Sequence, residues 1–162
     1  MKKILLCCAA GMSTSLLVNK MKAEAEKRGI NISINKKDHK YKNYSSAIEF
    51  VITNEEGKKI YVVGTIGMNN EERIISIKNH DVDMAISDNM IYLGNEDVPG
   101  VIGAVGATLG KGNINIATMN VGRRENSAIM LLTVDSEVGR RSLKELRGLS
   151  QIKWAHYLDL TI

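Results

Sequence analysis

Asn95-Glu96-Asp97-Val98-Pro99-Gly100-Val101-Ile102-Gly103, answered downstream by Gly112-Asn113-Ile114-Asn115-Ile116-Ala117, is the stretch that decides how this chain folds. A strand starts at Tyr92–Gly94 and runs into 95–98. Pro99 then opens a helix, because the first helical turn has no use for the N–H that proline lacks. The helix continues to about Leu109, and Gly110 and Gly112 are read as its stop. Ile114–Val121 is a strand, Glu125-Asn126-Ser127 a loop, and Ala128–Val134 the returning hairpin partner. Ser142–Leu149 reads as a second helix and Lys153–Leu160 as a final strand. The order is β-α-β-β-α-β, the ferredoxin-like plan.

Upstream the pattern changes. Ala47–Thr53 and Lys59–Gly64 are apolar runs joined by a turn at Asn54-Glu55-Glu56-Gly57. Arg73–Lys78 is a further strand, and Asn79-His80-Asp81 a turn into Val82–Ile86. These spacings predict a meander of short antiparallel strands. Further upstream, Lys3–Cys8 is an apolar run suited to a buried, parallel strand. Ala9–Ser13 is a loop of small residues, and Ser13 or Thr14 caps a helix reaching about Arg28. Leu16, Leu17, Met21 and Ala25 share one face of it, and Gly29 ends it. Ile30, Ile32 and Ile34 alternate with polar residues as a half-buried strand, and Asn35–Ser46 is expected to be a mobile loop. The expected class is therefore α/β (α+β), with a boundary near Ser87–Ile91 separating residues 1–90 from 91–162.

Composition narrows the function classes. In 162 residues, 44% are hydrophobic and 25% charged, which suits a folded chain with a true core. Aromatics are only 4%, so that core is aliphatic. The net charge of +4 is spread along the chain without a basic and aromatic stripe, which argues against nucleic-acid binding. No run of about 18 apolar residues occurs, so membrane insertion is not expected. The apolar run Ile4–Cys8 is too short for a secretory signal. Cys7 and Cys8 are neighbours and would form a strained disulfide, so free thiols and a cytoplasmic location are expected. The three histidines stand in no metal-ligand spacing, and neither metal nor cofactor is expected.

The quoted stretch suits an amino-acid ligand. A carboxylate fits the amides opening the helix at Gly100, Val101 and Ile102. The Asp97 carboxylate suits an ammonium, and the Asn115 amide a side-chain hydroxyl. Together with Val121-Gly122-Arg123 and the strand Ile129–Val134, these residues resemble the small-molecule-sensing ACT domain of D-3-phosphoglycerate dehydrogenase. The resemblance implies L-serine as effector, bound at Asn95, Asp97 and Asn115, commonly across a homodimer interface. It departs at Val98, where the family often has arginine.

Two further resemblances stand upstream. Lys58–Thr65, Glu72-Arg73-Ile74-Ile75 and His80–Asp83 are similar to the intervening, or allosteric substrate-binding, domain that precedes ACT in long phosphoglycerate dehydrogenases. Ala23–Ile30 fits that domain's last helix, so this likeness covers about residues 20–162. Arg73 and Arg123 are its candidate anion ligands, since guanidinium suits phosphate or carboxylate. His80 reads as a turn residue.

The N-terminal Lys3-Ile4-Leu5-Leu6-Cys7-Cys8-Ala9-Ala10-Gly11-Met12-Ser13-Thr14-Ser15 resembles the start of enzyme IIB of the sugar phosphotransferase system, lactose/cellobiose type. That likeness implies a phosphocysteine at Cys8 and an anion loop made by Ala10, Gly11, Met12, Ser13, Thr14 and Ser15. Exposed amides and a helix N-terminus suit a thiolate and its phosphoryl group. The likeness is legible only as far as the helix Leu16–Gly29, and that family's later parallel strands are not recognisable, so the chain reads as chimera-like. No Gly-x-Gly-x-x-Gly loop follows a strand, so a complete dehydrogenase is not expected. The expected function is a regulatory serine-sensing module, the alternative a phosphocarrier acting through Cys8.

Overall fold

The computed structural model describes residues 26, 27, 29, 31–37, 44, 47–53, 56–125 and 127–161. The strand, loop and helix expected over 3–25 lie outside them. Contacts divide the chain into two compact units, Met1–Asn79 and His80–Ile162.

The first unit holds strands β1 (Asn31–Lys37), β2 (Ala47–Thr53), β3 (Lys59–Ile66) and β4 (Glu72–Ile77), each antiparallel to the next. This is the expected meander, with no parallel pair among the described strands. Its turns fall where left-handed backbone is tolerated: Gly57 has φ 78 and Asn70 φ 58. Ala47, Val63 and Ile75 form a small core against which Tyr44 packs. The expected loop 35–46 is shorter at its start. Asn35, Lys36 and Lys37 belong to β1, paired with Glu49, Ile48 and Ala47. A ladder of backbone hydrogen bonds extends the strand although its side chains are polar, because pairing satisfies backbone groups whatever side chains they carry.

The second unit holds β5 (His80–Ala85), β6 (Asn89–Glu96), helix α1 (Val101–Lys111), β7 (Ile116–Arg124), β8 (Ser127–Val134), helix α2 (Arg140–Arg147) and β9 (Ile152–Asp159). From β6 onward the order is the expected βαββαβ, and its sheet runs β7-β8-β6-β9, antiparallel at every pairing. Val101, Val105 and Leu109 recur four apart on α1 and pack with Ile91, Leu93, Met130 and Leu132 of the sheet. Strand β8 is buried nearly end to end, as a central strand should be. Gly110 does not stop α1, which runs on through Lys111 to a C-cap at Gly112. The turn after it is held by Ile114 N–H donating to Leu109 O at 3.0 Å.

Two glycines of this sheet are fixed by what lies on them. A Cβ at Gly94 would stand 2.4 Å from the Trp154 ring, so the indole rests on the backbone there. Trp154 also meets Tyr92 edge-on at 4.6 Å. A Cβ at Gly122 would stand 2.7 Å from Asp81 O, because β5 crosses closely over β7.

His80 is a correction. It is not in a turn but begins β5, and it is buried. Lys78 and Asn79, with φ 50 and 62, make the bend one residue earlier. Nε2 of His80 lies 3.1 Å from Ser127 Oγ. Ser127 gives its own proton to Arg124 O at 2.9 Å. With that proton committed, Ser127 Oγ is the acceptor and the imidazole N–H the donor in this pair.

Candidate functional site

The turn from β6 into α1 gathers most of the expected ligand residues. Asn95 is 2% exposed at the end of β6. Its Nδ2 donates to Glu96 O at 2.6 Å, while its Oδ1 is buried with no partner among the described residues. An acceptor left in that state costs free energy until a donor reaches it. Two residues on, Asp97 Oδ1 lies 3.2 Å from Arg123 Nε. Gly100 then takes φ 90, a left-handed value that a side chain resists, and serves as N-cap of α1.

That cap leaves the helix open. Among the described residues no side chain caps it, and no acidic residue stands in its first turn. At this end Ala104 N–H donates to Gly100 O at 2.9 Å. The amides at the start of α1 thus face outward with the positive end of the helix dipole. Val101 contributes its amide alone, since its side chain is in the core. Val98 and Ile102 are 45% and 50% exposed and form an apolar flank.

Asn115 is not in this group. It precedes β7, and its Nδ2 donates to Asp135 Oδ2 at 2.6 Å, while Asp135 N–H donates to Asn115 O at 3.2 Å. Arg123 stands near the other end of β7, which at about 3.3 Å per residue puts the two ends roughly 25 Å apart. Within one chain Asn115 and the Asp97–Arg123 pair therefore lie at opposite ends of β7. Arg73 lies in the first unit, where its Nη1 bridges Glu71 Oε1 at 2.6 Å. Cys8 and residues 10–15 fall outside the described residues. Sequence reading missed the Asp97–Arg123 and Asn115–Asp135 pairs, since each joins residues separated by a whole element and carries no local pattern.

Among the described residues no three His, Cys, Asp or Glu side chains stand close enough to hold a metal ion. None of the described helices is long and apolar enough to cross a membrane.

Comparison with known proteins gives two family matches. Residues 3–89 match the family described as PTS system, Lactose/Cellobiose specific IIB subunit. Residues 89–151 match the ACT domain. The first match extends well past the helix at which that likeness was legible by eye. The sheet described within that span is the antiparallel one of β1–β4, and the strand Lys3–Cys8, expected to be parallel, lies outside the described residues.

Curated relatives include the D-3-phosphoglycerate dehydrogenase of Bacillus subtilis, 34% identical over 138 residues, which are 84% of this chain and 26% of that protein. The enzyme of the same name from Archaeoglobus fulgidus is 36% identical over 153 residues, 92% of this chain and 28% of that one. D-3-phosphoglycerate dehydrogenase 2, chloroplastic, of Arabidopsis thaliana is 38% identical over 81 residues, 49% of this chain and 13% of its own length. The chain spans about a quarter of the length of the first two relatives.

Proposed function

The chain belongs to the lactose/cellobiose-specific IIB subunit family of the PTS system over residues 3–89 and contains an ACT domain over residues 89–151, and from that premise we propose that it is an amino-acid-binding regulatory module whose ligand is L-serine. The observation that carries the reading is the β6–α1 turn. A buried acceptor without a partner among the described residues, an open helix N-terminus and a carboxylate stand within a few residues of one another. An α-amino acid has a donor for the first and third and a carboxylate for the second.

In this reading the ligand's ammonium goes to Asp97 and Asn95 Oδ1, and its carboxylate to the amides of Val101 and Ile102. Its hydroxyl goes to Asn115 of a partner subunit. The reason for invoking a partner is geometric. β7 is an edge strand. Two copies pairing antiparallel along that edge set the start of one β7 against the end of the other, so that Asn115 of the partner subunit comes to the Asp97 end. The module acts in the cytoplasm as a homodimer on a small molecule, without nucleic acid. Calorimetric titration with L-serine, then with the other amino acids, tests the reading. Saturable binding is expected, and no heat with any amino acid overturns it.

The family match over residues 3–89 favours a second reading, a phosphocarrier step at Cys8. Thiol and phosphoryl group would be held by the amides of Ala10 to Ser15, with a thiol pKa below the ~8.5 of free cysteine. Iodoacetamide near neutral pH should then label Cys8 faster than Cys7, with phosphate slowing it. Incubation with a phosphorylated sugar-specific enzyme IIA should leave thiol-linked phosphate on Cys8. Equal, slow labelling of both thiols and no transferred phosphate would remove this reading.

A further inference from the structure

We propose that Asp97 and Arg123 form a latch that a zwitterion opens, with Arg123 joining the Val101 and Ile102 amides on the ligand's carboxylate when Asp97 takes its ammonium. This rests on the amino-acid reading of the site and goes beyond it by assigning the selectivity for a molecule carrying both charges to a single exchange of partners.

The latch is legible in the ion pair itself. The two groups meet through one nitrogen, Nε, at 3.2 Å, although a guanidinium offers five donors in a fork that could grip a carboxylate twice. The Arg123 side chain is 68% exposed and that of Asp97 30%. An ion pair so open to water is weakly held and easily exchanged. Its position matters more than its strength. Asp97 stands between Asn95, whose Oδ1 lacks a donor among the described residues, and Gly100, where the open turn of α1 begins. The exposed residue between them, Val98, brings no charge, so Arg123 is the cation that the structure brings to this carboxylate.

The charges decide which ligands pay a penalty. In the free protein Asp97 and Arg123 neutralise each other. A ligand with only an ammonium must take Asp97 and leave Arg123 without its partner. A ligand with only a carboxylate draws Arg123 away and leaves Asp97 unmatched. A zwitterion replaces the one ion pair with two, and each gains hydrogen-bonding partners that the original single contact lacks. Neither half of the ligand can therefore bind as well as the whole, and the discrimination comes from Arg123 being able to leave Asp97 but not to be spared.

The test uses the full chain, L-serine, and two probes that each carry one of its charges: ethanolamine, which lacks the carboxylate, and glycolate, which lacks the ammonium. For the unaltered protein each probe should bind at least about ten-fold more weakly than L-serine. In Arg123→Gln, L-serine should lose about ten-fold or more, while ethanolamine should bind as well as before or better, because Asp97 no longer has a competing cation. Arg123→Lys keeps the charge without the fork and should fall between the two. Arg123 is on edge strand β7, along which the copies pair in this reading, so an unchanged circular dichroism spectrum, melting curve and light-scattering mass will show that the variants are folded and still dimeric. If L-serine binds Arg123→Gln as tightly as the unaltered protein, the latch is wrong and the amino-acid site survives. If no amino acid binds the unaltered protein, the site itself is wrong and the latch falls with it.

Discussion

Asp97 and Asn115 take their meaning from the groups beside them. Each is a polar side chain already engaged, Asp97 with Arg123 and Asn115 with Asp135, so each must exchange a partner to serve a ligand. Replacing either with alanine leaves one polar group of the ligand unmatched in a partly desolvated site. The expected loss is about 1–3 kcal/mol, or roughly 5- to 150-fold in affinity for L-serine, read by calorimetry. Unchanged affinity in both variants would place the site elsewhere. Tyr92 gives a prediction of another kind. Its hydroxyl is buried without a partner among the described residues, and burial pushes its pKa up to about 12 from 10.0. The folded state therefore keeps this proton where the unfolded state has lost it. The stability that the protonated hydroxyl contributes is whole below about pH 10 and is lost as pH rises through about 12. Denaturant midpoints measured across that interval should fall in the native protein and fall less in Tyr92→Phe. Residues such as these were legible in the sequence as types, but their pairings were not: Asp97 and Arg123 meet only because α1 and β7 bring the chain back past its own turn.

At the scale of elements the sequence was most informative where two signals agreed. Pro99 followed by Val101, Val105 and Leu109 specifies both where α1 begins and which face it buries, and α1 formed there. It was least informative where one residue type carries two meanings. Gly110 reads as a stop in the sequence, yet it sits inside α1, and a Cβ there, as at Gly103 and Gly106, would meet nothing within 4 Å among the described residues. These interior glycines are thus not explained by close packing among the described residues. Alanine at Gly106 or Gly110 would reduce the freedom of the unfolded chain and raise helix propensity without a clash. Each substitution should raise stability by about 0.4–1 kcal/mol, measured by urea denaturation. A loss of stability would show that this helix face is covered in solution by something that needs the space. The boundaries of β1 and β5 were missed for a related reason. Lys36 and Lys37 look like loop residues, and His80 like a turn residue, until the strand beside them or the residue above them is known.

At the scale of the molecule, the separation of Asn115 from Asp97 along β7 turns the ligand site into a statement about assembly. If both residues hold one serine, a single copy lacks a complete site, and the copies must share. Edge strand β7 supplies the means, because an unpaired edge carries backbone groups that a second copy can satisfy, and a two-fold axis makes the pairing reciprocal. Light scattering at tens of micromolar should accordingly give the mass of a dimer. A dimer alone, however, would not show that the sites are shared, since two copies could pair and still bind independently. Mixing two defective variants separates these cases. Asp97→Ala retains Asn115, and Asn115→Ala retains Asp97. After subunit exchange a mixed dimer holds one site with both residues intact and one with neither. With equal amounts and random exchange half of the dimers are mixed, so about a quarter of all sites should regain the affinity of the unaltered protein. Calorimetry on the mixture should then show a tight class of sites that neither variant shows alone. If each copy binds serine with its own residues, every site in the mixture still carries one lesion, no tight class appears, and the shared site is refuted whatever the mass of the particle.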